Sequence, residues 1–74
     1  MNWIYGQYVS VLIVKHTIGA CMAEVWPETK SSGTYWSWVV SLDGEEYKSG
    51  VCDEYKQAEG RAESAIKQLM EDGK

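Results

Sequence analysis

Hydrophobic and polar residues alternate through one stretch near the middle of the chain. Between Tyr35 and Leu42 every second residue is large and apolar, which is the period-two pattern of a strand with two different faces. The dipeptide Asp43-Gly44 follows directly. It is the strongest short-range hairpin signal, because a type I′ turn needs positive φ at both central residues. The sequence therefore predicts a β-hairpin centred on residues 43 and 44.

A two-residue turn also fixes which residues of the two strands face one another. The predicted pairs are Leu42 with Glu45, Val40 with Tyr47, Trp38 with Ser49, and Trp36 with Val51. One face of the hairpin is then apolar and carries Trp36, Trp38, Val40, Tyr47 and Val51. The other face is polar and carries Ser37, Ser41, Glu46 and Lys48. We expect the two tryptophans to lie in the core.

After Cys52 the spacing of apolar residues changes from two to three and four, which is typical of an amphipathic helix. Asp53 is the predicted N-cap, and Gly73 is the predicted stop. Gly60 falls inside the helix, where glycine costs about 1 kcal/mol relative to alanine. We therefore expect a close approach of helix and sheet there. The apolar stripe consists of Tyr55, Ala58, Ala62, Ala65, Ile66, Leu69 and Met70.

The first half of the chain gives a less regular pattern. Tyr8 to Lys15 predicts a strand that is apolar on both faces, so it is either covered on both sides or meets another molecule. Residues 18–26 fit a strand or a short helix. We favour the strand because so short a segment makes a marginal helix and Gly19 would weaken its first turn. The polar segment 27–33 predicts a loop.

These elements predict one small domain, residues 1–74, of the α+β class. We expect an antiparallel sheet of three to four strands with the C-terminal helix packed on one face, in the order β-β-β-β-α. The chain contains four Trp and five Tyr but no Phe, and all nine aromatic residues precede position 56. Such side chains bury large areas and are also enriched at binding surfaces.

Charge separates the two halves of the sequence. Residues 43–74 hold nine acids and five bases, which accounts for the whole net charge of −4. An acidic surface repels phosphate and suits a basic partner protein, although acids also keep a small aromatic-rich chain soluble. The candidate partner-contact residues are Asp43, Glu45, Glu46, Glu54, Glu59, Glu63, Tyr35 and Trp26.

Few residues in this sequence have the chemistry of a catalyst. His16 is the only histidine, and no third group orients it against Cys21 or Cys52. The three also lack the paired spacing of a zinc site, and no glycine-rich phosphate loop or calcium loop is present. We expect no catalytic residue, no metal and no cofactor. A small enzyme or metal protein built on these three residues is the weaker alternative.

The start of the chain lacks a basic segment, and its longest apolar run, residues 11–14, is too short for a signal peptide or a membrane span. We therefore expect a cytosolic protein with reduced thiols and no membrane partner. Tyr35, Trp36 and Trp38 could stack on single-stranded nucleic acid. The nearby acids and the predicted burial of both tryptophans make this an unfavoured alternative.

The strand–turn–strand–helix ending, with Gly50 before an alanine-rich helix, resembles the second half of a double-stranded RNA-binding domain. The likeness covers about half of the chain. It ends where that family binds RNA, because a lysine-rich helix start is replaced by Asp53-Glu54-Tyr55-Lys56-Gln57. That family's first helix has no counterpart either. We carry over none of its activity.

The chain is short and acidic, lacks motifs and predicts a small sheet with a helix. In these respects it is similar to small accessory proteins of phages and mobile elements, such as the anti-CRISPR proteins. That similarity implies a non-enzymatic inhibitor that occludes a basic host surface by protein–protein contact. The alternative is a structural or regulatory homodimer in which the first strand, Tyr8 to Val14, supplies the interface.

Overall fold

The computed structural model describes residues 2–72 and contains one antiparallel sheet and one helix. The elements are β1 (Ile4–Tyr5), β2 (Ser10–His16), β3 (Gly19–Lys30), β4 (Gly33–Leu42), β5 (Glu45–Cys52) and α1 (Tyr55–Asp72). This confirms the α+β class with a C-terminal helix. The sheet has five strands rather than three or four, because the two-residue β1 pairs with β2.

The strands form a meander, in the spatial order β1-β2-β3-β4-β5. Residues 19–30 form a strand, so the favoured interpretation of residues 18–26 is confirmed and the helical one is wrong. The predicted loop 27–33 is also wrong, since β3 continues to Lys30 and β4 begins at Gly33. Pro27 fits this strand because β2 begins at Ser10, opposite Val25, and does not extend to Pro27. The segment of β3 beyond Val25 is therefore an edge, where a missing N–H is tolerated. The outer part of the β3–β4 hairpin forms an arm, and the molecule is 43 Å long.

The β4–β5 turn has the predicted geometry near its tip. Asp43 has φ 50° and Gly44 has φ 88°, and Leu42 pairs with Glu45. A bulge beside Val40 and Ser41 then inserts one extra residue into β5 and changes the register. Beyond the bulge the pairs are Val40 with Lys48, Trp38 with Gly50 and Trp36 with Cys52.

The faces predicted for β5 are therefore wrong. A slip of one residue moves every side chain of that strand beyond the bulge to the opposite face, whereas β4 keeps its predicted faces. Tyr47 and Val51, which were expected in the core, are 36% and 61% exposed. Lys48, which was expected on the polar outer face, instead lies toward α1 and donates to Gln68 at 3.0 Å. Ser41 lies on the outer face, as predicted, but it is buried there.

The core lies between α1 and the inner face of β2, β3 and β4. Trp38 is buried against the helix, as predicted, whereas Trp36 is only partly buried. Gly50 makes room for Trp38, since a Cβ there would come within 2.9 Å of the indole nitrogen. The predicted helical stripe is confirmed: Tyr55 and Met70 are half-buried. Its buried members are Ala58, Ala62, Ala65, Ile66 and Leu69.

Two details of the helix differ from the prediction. The Glu54 carbonyl accepts the Ala58 N–H at 3.2 Å, so the capping position is Glu54 rather than Asp53. A Cβ added to Gly60 would meet nothing within 4 Å, so this glycine does not mark a close helix–sheet contact. The predicted stop, Gly73, lies outside the described residues.

The outer face of the sheet has no covering element among residues 2–72. Leu12 points into the core, whereas Val11 is half-buried and Ile13 is 53% exposed on the other side of the same strand. The apolar residues of this outer face are Ile4, Val11, Ile13, Met22, Trp26, Val39 and Val51.

Candidate functional site

Four aromatic side chains from distant parts of the chain meet at one end of the sheet. Tyr5 and Tyr8 come from the N-terminal segment, Trp36 from β4, and Tyr55 from the first turn of α1. The ring centroids of Trp36 and Tyr55 lie 5.1 Å apart in an edge-to-face arrangement, and those of Tyr5 and Tyr55 lie 6.3 Å apart. With neighbouring residues they enclose a cavity of about 220 Å³, which we call the aromatic pocket.

A tight turn places the two N-terminal tyrosines. The Gly6 N–H donates to the Val9 carbonyl at 3.0 Å, and Tyr5 pairs with Ser10 across the turn. Gly6 is required by this geometry, because a Cβ would lie 2.6 Å from the Val9 oxygen. Tyr8 therefore projects from the turn and is 77% exposed.

Two carboxylates on α1 form an acidic rim beside the aromatic pocket. The Tyr5 hydroxyl donates to Glu59 Oε2 at 3.2 Å, and the Trp3 indole donates to Glu63 Oε2 at 2.6 Å. Glu59 and Glu63 lie four residues apart and so share one flank of the helix. These bonds fix the N-terminal segment on the helix, and each carboxylate keeps further acceptor capacity.

The Tyr55 hydroxyl is the unusual polar group of this site. It is buried and has no hydrogen bond of good geometry among the described residues, although the Ser10 hydroxyl and the Glu59 carboxylate lie beside it. Burial raises the pKa of Tyr55 to about 12. Partial desolvation, followed by the Glu59 carboxylate, raises the pKa of Tyr5 as well. Both phenols are therefore protonated and neutral at physiological pH.

The predicted aromatic contacts, Trp26 and Tyr35, lie elsewhere, on the outer face of the β3–β4 arm. Glu28 accepts hydrogen bonds from the Trp26 indole at 3.3 Å and from the Ser37 hydroxyl at 3.1 Å. Hydrogen bonds from Tyr35, Trp26 and Ser37 lower the pKa of Glu28. Lys30 lies over the Tyr35 ring, with its Nζ atom 4.6 Å from the ring centroid. Glu28, Tyr35 and Ser37 line an open pocket of about 600 Å³, which Asp53 and Arg61 also line.

The predicted acidic contacts divide into two groups. Glu59 and Glu63 lie beside the aromatic pocket, and Glu54 is exposed just before α1. Asp43, Glu45 and Glu46 lie at or next to the start of β5, about 20–25 Å from Cys52 at its other end at the usual rise per strand residue.

Asp43 has a structural role in addition. Its Oδ1 accepts the Ala20 N–H at 3.0 Å, and its own N–H donates to the Ala20 carbonyl at 3.0 Å. These two bonds join the β2–β3 turn to the β4–β5 turn.

The sulfur and imidazole groups do not form a reactive centre in the described chain. Burial, and then Asp43, raise the pKa of the Cys21 thiol, which disfavours a nucleophilic thiolate. His16 Nδ1 accepts the Ile18 N–H at 3.4 Å within the β2–β3 turn. Within residues 2–72, no three His, Cys, Asp or Glu side chains are placed to share a metal ion. No helix among the described residues is both long enough and apolar enough to span a membrane.

The chain matches no model of a known protein family, and comparisons with curated proteins and solved structures give no significant match. The site must therefore be interpreted from its geometry. Sequence reasoning missed Tyr5, Tyr8 and Tyr55, and assigned Trp36 to the core. The available signal was the restriction of all nine aromatic residues to positions before 56. Tyr55 was assigned only to the helical stripe, Tyr8 only to a strand, and Tyr5 to no element.

Proposed function

We propose that this chain is a non-enzymatic binding protein that acts by protein–protein contact and inhibits its target by covering a basic surface. The observation that carries the proposal is the aromatic pocket with its acidic rim. Aromatic faces next to carboxylates are suited to a lysine or arginine side chain. The resemblance in size and acidity to phage-type inhibitors, which occlude basic surfaces, is the reason for proposing inhibition.

The size and the aromatic lining of this pocket favour a single cationic side chain. A cavity of about 220 Å³ has room for one long residue but not for a drug-sized ligand. A cation over an aromatic ring gains about 0.5–1 kcal/mol when exposed and about 2 kcal/mol when desolvated. We infer that the Tyr55 hydroxyl, which is buried in the unbound chain, becomes an acceptor for a guanidinium N–H when the cation is bound.

Net charge assists this mode of binding over a longer range. The chain carries a formal charge of −4, and opposite charges on two proteins speed their encounter and set their orientation. Glu54 precedes α1, and Glu59 and Glu63 lie in its first half, where they bond to Tyr5 and Trp3 of the N-terminal segment.

A titration with short peptides, observed by NMR, tests the pocket directly. The tripeptide Gly-Arg-Gly should shift the Trp36 and Tyr55 ring resonances saturably, whereas Gly-Glu-Gly should not. Tyr8→Ala should weaken arginine binding, and Tyr47→Ala is the matched control because Tyr47 is an exposed tyrosine outside the aromatic pocket. Equal affinity of both variants and the wild type would contradict the proposal.

A second experiment asks whether a protein is bound through the same pocket and inhibited. Wild type and Tyr47→Ala should retain the same host protein at low salt, and Tyr8→Ala should lose it. The contact region on the retained protein should be basic, and its activity should fall when this chain is added. An undiminished activity would contradict inhibition, even if the contact is real.

The outer face of the sheet supports one other candidate function, a homodimer through β2. Ile13 is 53% exposed on this face, and β1 pairs only with Ser10 and Val11, so the rest of the β2 edge is unpaired in the described chain. Glu24 lies between Val11 and Val39 in the centre of the face and opposes a symmetric face-to-face dimer, which would bring two carboxylates together. A monomeric mass by light scattering at micromolar concentration would exclude this candidate.

A further inference from the structure

A long groove separates α1 from β5 on the flank of the helix that faces away from the aromatic pocket. Its volume is about 720 Å³, which is within the usual range of small-molecule sites. It is lined by Trp38, Lys48, Ser49, Lys56, Gln57, Gly60, Arg61, Ser64, Ala65 and Gln68. We call it the cationic groove.

The charge of this groove is opposite to that of the chain. Three of the chain's seven lysine and arginine residues line it, namely Lys48, Lys56 and Arg61, and no carboxylate does. Lys48 donates to the neutral Gln68 Oε1 at 3.0 Å. An acidic protein thus places three positive side chains along one groove, although Glu28 and Asp53 line a neighbouring pocket with Arg61.

The remaining polar groups of the groove include further hydrogen-bond donors. The Trp3 and Trp26 indoles each donate to a carboxylate, but the Trp38 indole, which lines the groove, has no acceptor among the described residues. Gln57 and Ser64 add an amide and a hydroxyl on the helix side. Lys56 and Gln57 lie in the first turn of α1, where the helix dipole also favours anions.

We propose that the cationic groove binds a small phosphorylated molecule. Three cations and a free indole N–H match a ligand with several anionic oxygens, and the charged groups supply charge-assisted hydrogen bonds to phosphate. Trp38 and Ala65 provide a less polar floor for the rest of such a ligand, and the exposed Gly60 lies at the rim. A nucleic-acid strand is disfavoured because the surrounding surface is acidic. This site is separate from the aromatic pocket and does not depend on the proposed function.

Inorganic pyrophosphate is a suitable first probe, at low ionic strength and with NMR detection of the indole N–H resonances. The Trp38 resonance should shift saturably, while those of Trp3 and Trp26 should stay in place because their N–H groups are bonded to carboxylates. The same two resonances report that each variant remains folded. A Trp38 resonance that does not shift, or shifts without saturating, would overturn the proposal.

Charge-matched variants separate a site from general attraction. Arg61→Gln and Lys56→Gln should each weaken pyrophosphate binding at least about tenfold, which is the loss expected from one charge-assisted hydrogen bond. Lys15→Gln is the control, because it removes the same charge outside the groove and should leave the affinity within about twofold. Equal weakening by all three would overturn the proposal. So would tighter binding of an oligothymidine than of pyrophosphate, since the site would then hold a polymer.

Discussion

The two flanks of α1 have opposite character, although both come from one helix of 18 residues. Glu59 and Glu63 face the N-terminal segment and bond to Tyr5 and Trp3, whereas Lys56 and Arg61 face β5 across the cationic groove. Along the sequence these charges are interleaved within eight residues, 56–63. The comparison shows that a run of mixed charge becomes two distinct surfaces when residues three and four apart are aligned on a helix.

The largest expected effect concerns the sheet beneath the cationic groove. Gly50→Val should lower the free energy of unfolding by about 2–3 kcal/mol, because the new side chain overlaps the Trp38 indole. Urea unfolding followed by circular dichroism measures the loss. The Trp38 indole resonance should move strongly, while the aromatic pocket should be less affected. A wild-type midpoint would mean that Trp38 does not lie against Gly50.

The acidic flank is tested by removing its shortest contact. Glu63→Gln should lower the free energy of unfolding by about 1 kcal/mol, since the Trp3 indole loses a charged acceptor but keeps a neutral one. The Trp3 indole N–H resonance should shift, and the Trp38 resonance should not. Equal shifts of both resonances would show that the two flanks of the helix are coupled, which would contradict their description as separate surfaces.

The Tyr55 hydroxyl separates stability from binding. Tyr55→Phe should raise the free energy of unfolding by about 1 kcal/mol, because a buried polar group without a partner is removed. The same variant should bind Gly-Arg-Gly more weakly than the wild type. A gain in stability without loss of binding would show that this hydroxyl does not contact the cation.

Tyr55 also gives the fold an alkaline dependence. Its pKa is about 12 in the folded chain against an ordinary value of 10.0, so the folded state disfavours the phenolate. The stability associated with the neutral hydroxyl is complete below pH 10 and is lost as the pH rises toward 12. Tyr55→Phe should show a smaller decrease in melting temperature between pH 9 and pH 11 than the wild type. Parallel curves for the two proteins would contradict the burial of this group.

The smallest effect is expected at the rim of the cationic groove. Gly60→Ala should raise the free energy of unfolding by about 0.5–1 kcal/mol, because the site is open and alanine is the better helix former. Thermal unfolding measures this gain. A lower melting temperature would instead support the close helix–sheet packing at Gly60 that the sequence predicted.

Local features of the sequence were sufficient for several elements of the fold. Asp43-Gly44 formed the expected turn because positive φ is a property of those two residues and needs no distant contact. The stripe from Tyr55 to Met70 was recognisable because helical periodicity is local as well. The β5 bulge was not predictable from alternation, and it exposed Tyr47 and Val51 against expectation.

The candidate site was less predictable than the fold. Glu59 and Glu63 were proposed from charge alone, and the structure places both beside aromatic side chains. Tyr5, Tyr8 and Tyr55 carry no motif, and their meeting depends on the Gly6 turn and on where the helix begins. No pattern in the sequence brings position 5 next to position 55.

The sequence by itself determined the class of the fold, the hairpin turn and the buried side of the helix, because each follows from the conformational preferences of neighbouring residues. The tertiary structure alone decided the register of β5, the outward face of the sheet and the separation of charge between the two flanks of α1. These depend on which strands and helix faces are brought into contact. Side chains far apart in the chain then compete for the same buried space.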